Sequence, residues 1–586
     1  MRLVAVIASL CVAASCSGPT KKDDNGPRTP PKRRAGSVTL SIIGTNDLHG
    51  AIDRLPLFAG YMANLRAARS TDGGGVLLVD AGDMFQGTLE SNLEEGKHIV
   101  RAYNAIGYTA AAVGNHEFDF GPEGPAATAA SVEEDPRGAL KARAKEAKFP
   151  FLVSNIVDTA TGNRIKWPNM PSSMMVEVAG IHVGVIGAST ESTPYTTMAA
   201  NFIGLEMRSP AKEVAAEAAA LRAKGATLIV VTAHIGTRCE KYDVPSDFSS
   251  CKKDEELIKL VDELPKGAVD VIVAGHTHAV VAHRINDIAV IESFSSGRAF
   301  GRVDLRIAPD GHVSSVKIHQ PHLLCPGETE GNAMPAAQCK PGDYEGKPVV
   351  ADAEVQKIAD EAAAVAAPRR KEKLGVTLAG VIAKSYGLES AEGNWFTDLM
   401  LATQPAHVAL TNGGGLRADL PAGELTYGAL YEAMPFDNRF AHVDVKGVHL
   451  RRLISTNLQR GGAILSWGGL TAKARCKAGK LELEIKVAGK PLDDNASYKL
   501  VTSDFLASGG DGLIGRLKLP EGSVSLTNDI IRDVIADYLR KQKGAKATID
   551  PTKLVGPTLK RMDYEGSRPV ECGDKTKTKP PEEQPE

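Results

Sequence analysis

Five short apolar runs in the first half of the chain each lead into aspartate, asparagine or histidine, and no other feature constrains the fold as tightly. Leu40-Ser41-Ile42-Ile43 leads into Gly44-Thr45-Asn46-Asp47-Leu48-His49-Gly50, and Val76-Leu77-Leu78-Val79 leads into Asp80-Ala81-Gly82-Asp83-Met84-Phe85-Gln86-Gly87. Val113-Gly114-Asn115-His116-Glu117-Phe118-Asp119, Thr232-Ala233-His234-Ile235-Gly236 and Ala274-Gly275-His276-Thr277-His278 complete the series. Short β-branched runs of this kind predict buried strands. In open α/β sheets ligands bind at the carboxyl ends of strands, where all five motifs fall. Asp47 and His49 stand two apart, so on an extended segment they project from the same side.

Any one of these residues alone would be a helix cap or a hydrogen-bonded core histidine. Together they call for cations, because burying so many carboxylates and imidazoles in one place without them costs more than a fold can bear. His49, His234, His276 and His278, with Asp47, Asp83 and the amide oxygen of Asn115, exceed the needs of one tetrahedral ion. They suit two mixed nitrogen and oxygen sites sharing a bridge. Two cations so placed neutralise a phosphoryl group, lower the pKa of a bound water and hold the resulting hydroxide in line with the scissile bond. His116 adjoins Asn115, and Asp119 three residues on can orient it. His98, His182, His312 and His449 lack such neighbours and are surface or packing residues.

The chain has 586 residues, enough for two or three domains. At 43% hydrophobic and 24% charged it is globular, which excludes a polytopic membrane protein and a wholly disordered chain. Its net charge of -2 offers no basic field for a nucleic-acid polymer, so an anionic substrate must be gripped locally.

From Val38 to about Arg306, strands alternate with Ala-rich helical stretches such as Pro210 to Arg222, the grammar of a layered α/β domain, which we place at 38–320. Periodicity fades over 321 to 349, and Ala351 to Ala367 predicts one helix stopped by Pro368. Residues 321–370 are therefore a linker and hinge helix. A second mixed α/β domain occupies 371–565, and 566–586, ending in the Lys/Glu/Pro-rich stretch Lys575 to Glu586, is expected to be disordered.

The amino terminus predicts export. Residues 1–15 pair Arg2 with an apolar run too short to span a bilayer, and small residues precede Cys16, as in a bacterial lipobox in which Cys16 is acylated. The alternative is an ordinary signal peptide that leaves Cys16 free. Residues 16–37 form the lipidated end and a charged, Pro-rich tether. Cys239, Cys251, Cys325, Cys339, Cys476 and Cys572 remain, an even set suited to disulfides in an exported protein. Cys239 with Cys251 and Cys325 with Cys339 would close short loops and leave Cys476 with Cys572, but sequence alone leaves the connectivity open. In the second domain Thr411-Asn412-Gly413-Gly414-Gly415-Leu416-Arg417 gives open backbone and one arginine suited to bidentate contact with phosphate.

The motifs GTNDLHG, DAGDMFQG, GNHEFD, AHIG and GHTH, in that order, resemble the calcineurin-like metallophosphoesterases of the 5'-nucleotidase family. The resemblance implies an α/β fold: a four-layer β-sandwich with flanking helices, joined to a C-terminal mixed α/β substrate-binding domain. It implies two divalent ions such as Zn or Mn, one held by Asp47, His49, Asp83 and His278 and the other by Asp83, Asn115, His234 and His276. His116 and Asp119 correspond to the family's catalytic dyad. Asn412, Arg417, Phe436, Phe505 and Asp511 correspond to its substrate contacts, with the two phenylalanines enclosing a nucleobase. The domains would open and close about the hinge helix.

One departure stands out: Tyr386-Gly387-Leu388 occupies the place of a further family arginine, and Trp395 that of a leucine. The expected activity is hydrolysis of phosphate monoesters of extracytoplasmic nucleotides, in the cell envelope and through a lipid anchor. The alternatives are the same metal chemistry on nucleotide sugars, cyclic nucleotides or a sulfur ester, or a non-catalytic surface binding protein.

Overall fold

In the computed structural model residues 36–328, 334–556 and 558–572 are described; the leader with Cys16 and the stretch Lys575 to Glu586 lie outside them. The N-terminal domain stacks two sheets. One runs Val313–Ile318, Ala299–Ile307, Val38–Thr45, Gly75–Asp80, Ala110–Ala112, Phe151–Leu152. The other runs Val280–Ile285, Ile288–Ser293, Val271–Ala274, Leu228–His234, Ile181–Ser189, Ser173–Val178. The central strands of each are parallel.

Alternating side chains explain the stacking. Leu40, Ile42, Leu77 and Val79 from the first sheet meet Val183, Val185, Val230 and Val273 from the second in one dry core. The intervening residues Ile43 and Leu78 face outward under the helix Leu55–Thr71. Ile229 and Val231 do the same under Pro210–Ala223 and Glu256–Glu263. Strands covered on both faces are apolar throughout, and the result is four layers, helix on sheet on sheet on helix. Parallel order also delivers the carboxyl ends of Val38–Thr45, Gly75–Asp80, Ala110–Ala112, Leu228–His234 and Val271–Ala274 to one edge of the sandwich.

The second domain centres on a five-stranded sheet in the order Leu465–Gly468, Val408–Asn412, Ser497–Ser503, Arg439–Lys446, Val524–Ile530. Phe396 and Leu399 of the helix Ala391–Thr403 cover one face, and Leu450, Leu453 and Ile454 of Gly447–Leu458 cover the other.

Between the domains lies the helix Ala353–Arg370, capped by Asp352, whose Oδ1 accepts the Val355 N–H at 3.0 Å. It runs two residues past Pro368, where the sequence predicts a stop. The proline removes one hydrogen bond. The last turn survives because Arg370 donates to Glu90 of the first domain and Glu432 of the second, each at 2.5 Å.

The tail is also corrected. Residues 566–572 are packed rather than disordered: the Val570 N–H donates to the Leu458 carbonyl at 2.8 Å, and Cys572 is bonded to Cys476. The biased composition begins only at Lys575, beyond this covalent staple. The other disulfides join Cys239 to Cys251 and Cys325 to Cys339.

Gly60 shows how closely the linker lies on the first domain. A β-carbon there would sit 2.1 Å from the Val350 carbonyl oxygen. Gly60→Ala should therefore destabilise the protein by about 1–3 kcal/mol, the usual cost of overpacking. An unchanged urea midpoint would show that the linker does not hold this approach.

Candidate active site

The five strand ends converge on one edge, and backbone carbonyls there fix the imidazoles. His49 Nδ1 lies 2.8 Å from the Gln86 carbonyl and His234 Nδ1 lies 2.8 Å from that of Ala81. Each ring gives its Nδ1 proton to a carbonyl and so turns its Nε2 toward the centre. Two groups of donor atoms result, Asp47 with His49 and His278, and Asp83 with His234 and His276, the atoms of each group lying within 4.8 Å of one another. His49 Nε2 is 2.9 Å from His278 Nε2, and His234 Nε2 is 3.0 Å from both Asp83 Oδ2 and Asn115 Oδ1. His49 Nε2 is 3.9 Å from Asp83 Oδ2, which places Asp83 between the groups.

Five of these side chains come from strained backbone. Asp47, His49, Asp83, His276 and His278 have φ between 47° and 78°, in the left-handed region that non-glycine residues enter at a cost of roughly 1–3 kcal/mol each. Such strain is found where a site demands a particular side-chain direction.

The protonation pattern agrees. Burial alone would hold Asp83 protonated, but His234 and His116 keep its carboxyl well below the usual range. Burial and the charge of His234 push His276 down to about 3. Burial, then Arg417, likewise lowers His49. His234 goes the other way: burial opposes its charge, yet Asp83 lifts it to about 10. His234 Nε2 faces Asp83 Oδ2 and Asn115 Oδ1, two acceptors for its one proton, and His276 Nδ1 crowds it at 3.2 Å. Imidazole nitrogen with carboxylate and amide oxygen is the donor chemistry of a divalent cation, so the residues present fit a metal.

Behind the donors stand buried residues, Glu117 and Asn46 within the motifs and Glu292 outside them, that sequence reasoning left without a role. Glu117, 1% exposed, accepts the N–H groups of Asp83, Met84 and Gly114 at 2.9, 2.7 and 2.6 Å and ties two of the loops together. Asn46 donates to Asp47 at 2.8 Å and accepts the Ser293 N–H at 2.9 Å. Glu292 accepts the hydroxyl of Thr277, between His276 and His278, at 2.6 Å. Position within the motifs was the available signal for Glu117 and Asn46; Glu292 had none.

His116 and Asp119 are paired, Nδ1 to Oδ2, at 2.5 Å. They line a cleft of about 1910 Å³ between the two domains, together with Arg417, Phe436, Phe505 and Asp511. Arg417 Nη2 comes within 3.2 Å of His49 Nε2, and the Phe436 ring lies 5.4 Å from that of His116. Asn412 donates to Asp511 at 2.9 Å. Buried Arg532 donates to the carbonyls of Met434 and Phe436 at 3.1 and 3.2 Å and so sets the Phe436 loop. Tyr386 lines the cleft beside the glycine run, while Leu388 is exposed.

Glu117→Gln should loosen the loops that carry Asp83 and Asn115, because an amide cannot accept all three N–H groups. Divalent-ion affinity, measured by titration calorimetry, should fall about 10–100-fold with the fold intact. Unaltered affinity would sink this reading of Glu117.

Two family models match the chain, the calcineurin-like phosphoesterase over residues 40–280 and the 5'-nucleotidase C-terminal domain over residues 373–516. Protein UshA of Yersinia enterocolitica is 26% identical over 546 residues, covering 87% of this chain and 92% of that protein. The 5'-nucleotidase precursor from Thermus thermophilus superposes with a TM-score of 0.68 at 24% identity, covering 90% of this chain and 99% of that one. The sulfate thiohydrolase SoxB of the same organism superposes with a TM-score of 0.66 at 16% identity, covering 91% and 98%. The chain therefore belongs to the calcineurin-like phosphoesterases that carry a 5'-nucleotidase C-terminal domain, and it is a metal-dependent hydrolase of phosphoesters.

Proposed function

We propose that the enzyme removes phosphate from nucleotide monoesters outside the cytoplasm. In this reading Asp47, His49, Asp83 and His278 hold one divalent ion, and Asp83, Asn115, His234 and His276 hold a second. The observation that carries it is the reach of the second domain into the donor cluster, with Arg417 3.2 Å from His49 and Phe436 5.4 Å from His116. An anion site and an aromatic face thus stand side by side.

Two divalent ions, when bound, supply charge for the phosphoryl oxygens and lower the pKa of a bound water. The chain does the rest. Arg417 offers a planar fork to the phosphate. His116 keeps one ring proton on Asp119 and is left to protonate the leaving oxygen with the other. Burial lowers the basicity of His116, but Asp119 and Asp83 outweigh it and raise its pKa above the ordinary value, which favours the acid form. Phe436 and Phe505 offer ring faces to a base, and Asp511, steadied by Asn412, offers an acceptor to ribose hydroxyls.

The size of the cleft supports a second reading of the substrate. At about 1910 Å³ it exceeds the ~300–1,000 Å³ of ordinary small-molecule pockets. With Tyr386-Gly387-Leu388 where an arginine is expected, nucleotide sugars, cyclic nucleotides or a sulfur ester remain substrates for the same residues.

Metal-loaded protein should release phosphate from nucleoside 5'-monophosphates and lose activity to a chelator. Phe436→Ala should raise KM about 5- to 100-fold, the worth of one base stacked on an aromatic ring. No phosphate from any nucleotide in a panel would overturn the proposal, and faster turnover of nucleotide sugars or thiosulfate esters would select the second reading.

Export and lipid anchoring through Cys16 complete the proposal. Three disulfides support an oxidising compartment. Among the described residues no helix is long and apolar enough to cross a membrane, so membrane attachment would fall to the lipid. Cys16→Ser should move the protein from the membrane fraction to the soluble extracytoplasmic fraction; persistence in the membrane would refute the anchor.

A further inference from the structure

The His116 pairing uses one oxygen of Asp119, and the other oxygen is also engaged. Asp119 Oδ1 accepts the Thr197 hydroxyl at 2.8 Å and the Met198 N–H at 3.1 Å. A carboxylate is planar, so donors on Oδ1 set the plane in which Oδ2 meets the imidazole. Thr197 is 1% exposed, so its hydroxyl is shielded from bulk solvent.

The segment that carries Thr197 is fastened on both sides. Thr190 donates to Glu256 at 2.5 Å, and the Thr193 hydroxyl donates to the Thr190 carbonyl at 2.7 Å. The Thr196 carbonyl accepts from Asn115 Nδ2 at 2.9 Å, which turns the Asn115 oxygen toward His234. Asn201 donates to the Phe118 carbonyl at 2.9 Å. The turn Thr193–Thr196 also packs against Gly510–Gly512 of the second domain, the turn that holds Asp511. Nothing in the composition of this segment marks it, and no motif includes it.

We propose that Thr197 is a positioning residue for the His116–Asp119 pair, its hydroxyl holding Asp119 so that His116 faces the leaving oxygen. The proposal rests on the dyad reading given under Proposed function. In the step concerned, the oxygen of water forms the new bond to phosphorus while the bond to the ester oxygen breaks, and the water protons leave on the phosphate, from which one returns through solvent to His116. The electron pair of that bond stays on the ester oxygen, which takes the proton of His116. A ribose oxygen needs that proton, whereas 4-nitrophenolate leaves without it.

The test compares the two leaving groups on intact, metal-loaded protein. Thr197→Val should lower kcat for a nucleoside 5'-monophosphate roughly ten-fold, a fraction of the ~10²–10⁴ that a positioned acid contributes, with KM unchanged. Its kcat for 4-nitrophenyl phosphate should change less than about two-fold. Thr197→Ser, which keeps the hydroxyl, should restore the nucleotide rate. The downfield proton resonance of the His116–Asp119 hydrogen bond in zinc-loaded protein, identified by its loss in H116N, should vanish in Thr197→Val and persist in Thr197→Ser. Equal losses on both substrates, or a serine variant as slow as valine, would overturn the proposal. Asp119→Asn separates the two levels. If it slows the nucleotide selectively while Thr197→Val does not, only the role of Thr197 falls; if it shows no dependence on leaving group, the dyad reading falls with it.

Discussion

Everything at the centre of this protein depends on crowding more lone pairs together than there are protons to share among them. His234 Nε2 lies 3.0 Å from both Asp83 Oδ2 and Asn115 Oδ1, and His49 Nε2 lies 2.9 Å from His278 Nε2. A cluster of that kind is repulsive unless a cation occupies it. The surrounding structure is the means of enforcing the repulsion: carbonyls that pin the imidazole tautomers, left-handed backbone at five of the side chains, and Glu117 gripping three N–H groups. Each device costs stability locally. The two stacked sheets, with both faces of every central strand buried, provide the stability that makes the cost tolerable.

Much of this was legible in sequence because the chemistry sits at strand ends. Apolar runs of four to six residues ending in Asp, Asn or His report both an element and its terminus, and parallel order brings the termini together. The candidate donor residues and the layered α/β domain follow from that pattern, whereas the sandwich was expected from the family resemblance. What stayed hidden was of two kinds. Residues such as Glu292 and Thr197 act on the donors from distant parts of the chain, and a lone Glu or Thr has no pattern to betray it. The end of the helix Ala353–Arg370 was hidden for a related reason. Local propensity ends it at Pro368, whereas ion pairs from both flanking domains extend it to Arg370. The order of segment 566–572 was illegible because charge and proline content characterise the stretch beyond Cys572, whereas the covalent bond at Cys572 leaves no mark on composition.

The second domain meets the first in a different chemical style. Its contributions to the cleft, Arg417, Phe436 and Asp511, stand on loops that are themselves positioned by polar contacts, Arg532 behind Phe436 and Asn412 beside Asp511. Labour is divided accordingly. The first domain is built to hold charge in a fixed constellation, and the second to present surfaces that a substrate can exchange for water.

The joint between them combines an apolar contact, Leu89 of the first domain set into the core of the second, with a clasp of charges. Arg370, at the end of the connecting helix, is shared by Glu90 on one side and Glu432 on the other, a three-charge clasp about one-third exposed at its arginine. Apolar seams hold regardless of dissolved ions, but a clasp of charges open to solvent weakens as mobile ions crowd around it, within a screening distance of ~10 Å at 0.1 M salt. The charged part of the joint between the two halves of this enzyme is therefore coupled to the saltiness of the surroundings.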